Sequence, residues 1–235
     1  MANYYNITGL TVKMDSFGRT VVQAKPYLTE PAKPDIVISS DWRSLQENQP
    51  HLSQDDCEYI VTGSSFYNQL INFDGMMLHA SAVTLDGWAY LFSAPSGTGK
   101  STHTALWRNV FGADKALILN DDKPALRLEG GRFYAYGTPW SGKTDMNINR
   151  RVPVAGICML GRGECNEIAP FTGAEAIHAV LEQTVRPKNA AAIAKLLELL
   201  DKLFAEVPVW NMKCNMAPEA ARVSYEAMSA ARKEV

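Results

Sequence analysis

Within residues 88–110 the chain passes from an apolar run to a glycine-rich loop to a helical stretch, and this passage restricts the fold more than any other feature. Trp88-Ala89-Tyr90-Leu91-Phe92 is short and apolar enough for a buried strand. Ala94-Pro95-Ser96-Gly97-Thr98-Gly99-Lys100-Ser101-Thr102 follows, and residues 104–110 read as a helix. The loop fits the Walker A (P-loop) pattern, with Ala94 where the first glycine usually stands. Gly97 and Gly99 let backbone N–H groups turn inward around phosphate oxygens. The helix that starts near Lys100 points its open N–H groups and positive dipole end at the same anion. Lys100 is placed to reach the β and γ phosphates, and Ser101 to offer its hydroxyl to Mg²⁺. Ser96, Gly97, Thr98, Gly99, Lys100, Ser101 and Thr102 are therefore the expected nucleotide-binding residues.

An apolar strand over residues 115–119 ends in Asn120-Asp121-Asp122, some twenty residues past the loop, where a carboxylate that holds Mg²⁺ is expected. Two carboxylates allow two tasks: one holds metal, directly or through water, and the other accepts a proton from an attacking hydroxyl. Before the loop, residues 76–84 read as a strand and Asp86-Gly87 as a hairpin turn. That turn sets Leu85 opposite Trp88 and His79 opposite Ala94, so His79 is expected at the mouth of the loop; a hydrogen-bonded core histidine is the other reading.

A second hairpin runs from residues 124–129 through Gly130-Gly131 to residues 132–136, with Glu129 and Arg132 of opposite charge flanking the turn. Its register sets Asp122 opposite Pro139 and brings residues 137–144 beside the acidic pair. Trp140 is expected to wall a pocket there, with Ser141 on the substrate side, and Lys143 to meet phosphate or an anionic substrate; an ordinary exit loop with an exposed lysine is the other reading. Arg186, on a loop, either reaches phosphate or is solvated.

Residues 1–40 read as β-rich, with strands over 5–14, 19–27 and 34–39; residues 41–54 read as loop. Residues 55–73 favour a helix that Gly63-Ser64-Ser65 weakens. No composition break marks a linker, so residues 1–235 are expected to form a single domain, with 1–73 as a β-rich layer on a 74–235 core. Further strands are expected over 151–160, 166–169 and 207–212, and helices over 173–181, 190–205 and 218–232. Ile193, Leu196, Leu197, Leu200, Leu203 and Phe204 share one face of the 190–205 helix, as core or as an oligomer surface.

Composition narrows the partners. A net charge of −2 without a basic block argues against non-specific nucleic-acid or membrane-surface binding. Cys57, Cys158, Cys165 and Cys214 are scattered, which fits free thiols in a reducing cytoplasm rather than a disulfide frame or zinc site. The first residues are polar and no apolar run reaches about 18 residues, so neither a signal peptide nor a spanning segment is expected.

With these residues in view, the chain resembles the kinase domain of the HPr kinase/phosphorylase family, whose nucleotide-binding core is similar to that of phosphoenolpyruvate carboxykinases. The resemblance rests on histidine in the first hairpin, Ser96-Gly97-Thr98-Gly99-Lys100-Ser101, and the strand ending in Asp121-Asp122. It is firmest over residues 78–128 and looser to 184, and the chain looks most like the shorter HPr-kinase-like proteins. It implies an α/β P-loop domain of the phosphoenolpyruvate carboxykinase/HPr kinase type, with a mixed sheet and the N-terminal β-rich layer. It implies ATP and Mg²⁺ as cofactors. Lys100 and the loop amides would hold phosphates, Ser101 and Asp122 Mg²⁺; Asp121 would be the base, and His79 would lie near the transferring phosphate. The implied activity is transfer of a γ-phosphoryl group to a hydroxyl of a small molecule, peptide or protein. A nucleotide-binding switch or scaffold, or an ATPase, serving a peptide-modification pathway is the alternative. Family members often form oligomers, which leaves a homo-oligomer open here. The family's Glu-bearing Arg-Gly-Leu-Gly signature after the acidic pair is absent, and residues 139–143 stand in that region.

Overall fold

A computed structural model describes residues 2–232. The chain opens with the hairpin β1 (Asn3–Ile7) and β2 (Leu10–Met14), then α1 (Gly18–Ala24) and β3 (Ile36–Ile38), which pairs parallel with β2. Helices α2 (Arg43–Asn48) and α3 (Gln54–Leu70) follow. Residues 19–27, expected as a strand, are instead α1 and a 3-10 turn over Lys25–Tyr27. The run Thr20-Val21-Val22 favours a strand, but Thr20, Gln23 and Ala24 are buried at helical spacing. Thr20 Oγ1 donates to Glu58 Oε2 on α3 at 2.5 Å. The expected loop over 41–54 contains α2.

Helix α3 runs unbroken through Gly63-Ser64-Ser65. Ser53 caps it, accepting from the Asp56 N–H at 3.0 Å, with Asp55 and Asp56 in the first turn. The glycine has a packing reason: a Cβ at Gly63 would stand 2.9 Å from Cδ1 of Trp140.

The larger sheet has nine strands among the described residues. In chain order they are β4 (Gly75–Met77), β5 (Ala80–Leu85), β6 (Trp88–Ser93), β7 (Leu117–Asn120), β8 (Ala125–Glu129), β9 (Arg132–Tyr136), β10 (Arg151–Arg162), β11 (Glu167–Pro170) and β12 (Val209–Cys214). Their helices are α4 (Lys100–Phe111), α5 (Gly173–Glu182), α6 (Ala190–Glu206) and α7 (Glu219–Ala230). The spatial order is β4-β8-β9-β10-β6-β5-β7, with β12 on β10 and β11 on β12. Strand β10 joins the parts: antiparallel to β9 at its start, then parallel to β6 and to β12. The fold is a mixed α/β arrangement around this mixed sheet.

Both faces of the central strands are buried, as their continuous apolar runs require. From β6, Ala89 and Leu91 face a core with α5 and α6 (Val180, Leu196, Leu200). Tyr90 and Phe92 face the opposite core with α4 and α7 (Trp107, Ala220, Met228). On α6, Leu199 is buried while Ile193 and Leu197 are exposed, so the apolar face is rotated from the expected one. A third cluster joins Tyr5, Ile7, Phe66 and Tyr67 of the N-terminal layer to Met77, Ala125 and Tyr136 of the large sheet. Both hairpin registers are as expected, Leu85 opposite Trp88 and Glu129 opposite Arg132. The single strand expected over 76–84 is two, because Met77 pairs with β8 whereas Ala80 pairs with β6. The chain crosses between them at Leu78 and His79. No helix among the described residues is long and apolar enough to cross a membrane.

The buried contact between α1 and α3 sets one pH dependence. Burial pushes the Glu58 carboxyl up from 4.5 to about 7, against the lowering effect of the Thr20 hydrogen bond. An acid whose folded pKa is raised binds more protons folded than unfolded, so it costs stability as pH rises from 4.5 to about 7. Glu58→Gln should therefore be more stable than the parent above pH 7, by roughly 2–3 kcal/mol, and the gain should vanish near pH 4. Urea denaturation at the two pH values measures this; a gain independent of pH would contradict it.

Candidate functional site

The residues between β6 and α4 form a tight loop because its two glycines adopt a backbone that side chains disfavour. Gly97 has φ +80° and Gly99 φ +122°, and α4 begins directly after, at Lys100. The first-turn N–H groups of a helix have no helical acceptors. At α4 they belong to Lys100, Ser101 and Thr102, beside the loop. Lys100 Nζ donates back to Ala94 O at 2.8 Å and is only 8% exposed. Burial lowers its pKa, while Asp122 and Asp121 pull it up.

Across the loop, the end of β7 presents Asp121 and Asp122. Asp121 is 6% exposed and is held by two hydroxyls: Ser81 Oγ donates to Oδ1 at 2.5 Å and Thr144 Oγ1 to Oδ2 at 2.8 Å. Ser81 also lies 2.8 Å from Thr104 Oγ1, tying β5 to α4. Asp122 is held by an imidazole and an ammonium instead. His79 Nε2 is 3.2 Å from Oδ1, and Lys123 Nζ pairs with Oδ2. Burial alone would raise the Asp122 carboxyl; the His79 hydrogen bond and Lys123 overcome it and hold the pKa at about 2. The other His79 nitrogen faces Gln183 Oε1 at 3.0 Å, which fixes the ring.

The β8–β9 hairpin returns the chain to this point. Asn120 Nδ2 donates to Thr138 O at 3.0 Å, and Gly142 packs against Asp122 so closely that a Cβ would stand 2.7 Å from the Asp122 Cβ. Gly142 also has φ +72°, which only glycine adopts without strain. Its N–H donates to Tyr59 of α3 at 3.0 Å. Ser141, Lys143 and Thr144 thus reach the same cleft as His79, Ser96, Gly97, Gly99, Lys100, Ser101, Thr102, Asp121 and Asp122, a volume of about 500 Å³. A second cavity of about 530 Å³ flanks the other side of the glycine loop, where Thr98 contributes with Leu106, Leu160 and Met216. Arg162 anchors the loop between the two, Nη2 donating to Gly97 O at 2.7 Å.

Two expected site residues are elsewhere. Trp140 does not wall the cleft: it is 0% exposed, stacked on Phe66 at 5.0 Å, and donates from Nε1 to Thr62 Oγ1 at 3.2 Å. The space beside Gly63 and the aromatic cluster of the N-terminal layer draw it inward. Arg186 is exposed and is not part of the cleft lining. Sequence reasoning passed over Ser81, Lys123, Thr144, Arg162 and Gln183. Ser81 had a signal, since strand alternation sets it on the same side as His79. Lys123 adjoins Asp122 in sequence, and Thr144 lies in the segment that the hairpin register brings to the acidic pair; Arg162 and Gln183 depend on contacts between distant segments.

Trp140→Ala should act on stability first, costing about 3–5 kcal/mol as a buried aromatic truncation. Urea unfolding measures this, and a loss below about 1 kcal/mol would return Trp140 to the cleft.

No curated protein matches the chain. Among solved structures it is similar to the Hpr(Ser) kinase/phosphatase from Coxiella burnetii, with 12% identity over 66% of this chain and 95% of that one. The TM-score is 0.39, too low to carry an argument about fold or chemistry. Residues 54–218 match the family described as SynChlorMet cassette protein ScmC, well over half of the chain, and the chain therefore belongs to that family.

Proposed function

We propose that the chain is an ATP-dependent phosphotransferase that moves the γ-phosphoryl group to a hydroxyl of a small molecule, peptide or protein. The observation that carries this reading is the single cleft in which the glycine loop and Lys100 face Asp121 and Asp122. The resemblance of residues 78–128 to HPr kinases supports it. The loop amides and the α4 N-terminus cradle phosphate oxygens, and Lys100 turns from Ala94 O to the β and γ phosphates. The second cavity, with its apolar Leu106, Leu160 and Met216, suits the nucleoside.

The residues fit a magnesium ion. Ser101 and Asp122 offer hard oxygen donors in the cleft, and Mg²⁺ prefers one or two such ligands with phosphates and water making up the rest. When bound, the metal would neutralise charge on the phosphate oxygens. Asp122, its carboxyl held down by His79 and Lys123, would be one ligand, and Lys123 would have to leave it for the metal to bind. Asp121 serves as base. Its carboxylate is oriented by Ser81 and already accepts a hydroxyl proton donor from Thr144, which is what an acceptor alcohol has to supply. His79 keeps Asp122 aligned and faces the transferring phosphate. Ser141 and Lys143 border the acceptor side. A pure switch would need the metal carboxylate but not a second one; an ATPase would direct the second at water, and dependence of diphosphate release on an acceptor separates it from a kinase.

The two carboxylates should separate in kinetics. Asp121→Asn should bind nucleotide normally and lower turnover by about 10²–10⁴. Asp122→Asn should weaken nucleotide binding and raise the Mg²⁺ concentration needed. Nucleoside diphosphate release and equilibrium titration of each variant provide the check. Normal turnover with poor binding in Asp121→Asn would overturn the assignment.

A further inference from the structure

We infer that Thr144 is a phosphoryl acceptor within the chain itself, an inference that rests on the phosphotransferase reading above. Two hydroxyls touch Asp121. Ser81 is fully buried and engaged with Thr104, so no phosphate reaches it. Thr144 is exposed, yet its Oγ1 lies 2.8 Å from Asp121 Oδ2 and lines the cleft shared with Gly97, Lys100 and Ser101. It occupies the position an acceptor alcohol needs: its hydroxyl donates to Asp121, and it lines the cleft that the glycine loop also lines.

The loop that carries Thr144 is fixed from behind. Arg19 donates to Asp145 Oδ1 at 3.0 Å, and Gln23 reaches the same oxygen. Asn147 Nδ2 donates to Ser141 Oγ at 3.0 Å, and Tyr27 donates to Asn147 Oδ1 at 2.8 Å. A hydroxyl held in this way reacts as an intramolecular partner, with the orientation already set.

The step balances without another reagent. Thr144 Oγ1 attacks the γ phosphorus of a nucleoside triphosphate, the bond to the β-phosphate oxygen breaks, and the hydroxyl proton passes to Asp121. Nucleoside diphosphate leaves and phosphothreonine remains. Phosphate on Thr144 carries close to two negative charges and cannot rest against Asp121, so the modified residue leaves the base free for an external acceptor.

The test uses the whole chain with Mg²⁺ and ATP labelled in the γ phosphate, quenched in acid over a time course. Trypsin cleaves after Lys143 and Arg150, and residues 144–150 contain a single hydroxyl, that of Thr144. Label is expected in that peptide, at a rate per chain independent of protein concentration. Thr144→Ser should keep the label at position 144, Thr144→Val should lose it, and Asp121→Asn should slow it by about 100-fold or more. Nucleotide affinity is measured in parallel with a fluorescent ATP analogue. Binding and diphosphate release with no label at Thr144 would overturn this inference and leave the phosphotransferase reading standing. A labelling rate that rises with protein concentration would overturn transfer within the chain. Failure to bind nucleotide would remove both.

Discussion

Two adjacent carboxylates at the end of β7 stand in a partly buried cleft where each needs hydrogen-bonding partners, and much of the surrounding structure is arranged to supply them. The solutions differ. Asp121 is satisfied by neutral hydroxyls from β5 and from the loop after β9. Asp122 is satisfied by His79 and Lys123, which hold its pKa at about 2. Neutral hydroxyls orient a carboxylate without cancelling its charge, whereas the Lys123 ammonium also offsets the charge of Asp122. The two carboxylates thus differ in their neighbours, and the separate roles proposed for them rest on that difference.

Those neighbours come from three separate segments, residues 79–81, Lys123 and the loop that carries Thr144. The Asp86-Gly87 hairpin returns β6 along β5, so that the glycine loop emerges beside His79 and Ser81. The Gly130-Gly131 hairpin returns residues 137–144 to Asp122. Helix α3 holds that loop through Tyr59 and Thr62, and α1 holds it through Arg19 and Gln23. The N-terminal layer therefore meets the site indirectly: among the described residues it contributes no side chain to the cleft lining but fixes the segment that carries Ser141, Lys143 and Thr144.

The parts legible in sequence were those governed by local rules. Turn dipeptides set both hairpin registers, and continuous apolar runs marked β6, β7 and β10. Elements that depend on distant partners were not legible. Thr20-Val21-Val22 favours a strand until Glu58 offers Thr20 a buried partner across a helix pair. Gly63 weakens a helix until Trp140 arrives to fill the space above it. Trp140 itself, an aromatic residue next to polar loop residues, resembles a pocket wall in sequence; the cluster of Phe66 and Tyr67 claims it instead. The hairpin register brought Thr144 near the acidic pair, but nothing local singled out its hydrogen bond to Asp121, 23 positions away.

The central claim is that the glycine loop and the acidic pair form one nucleoside triphosphate site. Calorimetric titration of the full chain and of Lys100→Ala with ATP and Mg²⁺ tests it most directly. Tight, Mg²⁺-dependent binding in the parent and its loss in Lys100→Ala, with unchanged thermal unfolding of the unliganded protein, is the expected result. Equal affinity in the two proteins, or no dependence on Mg²⁺, would contradict it.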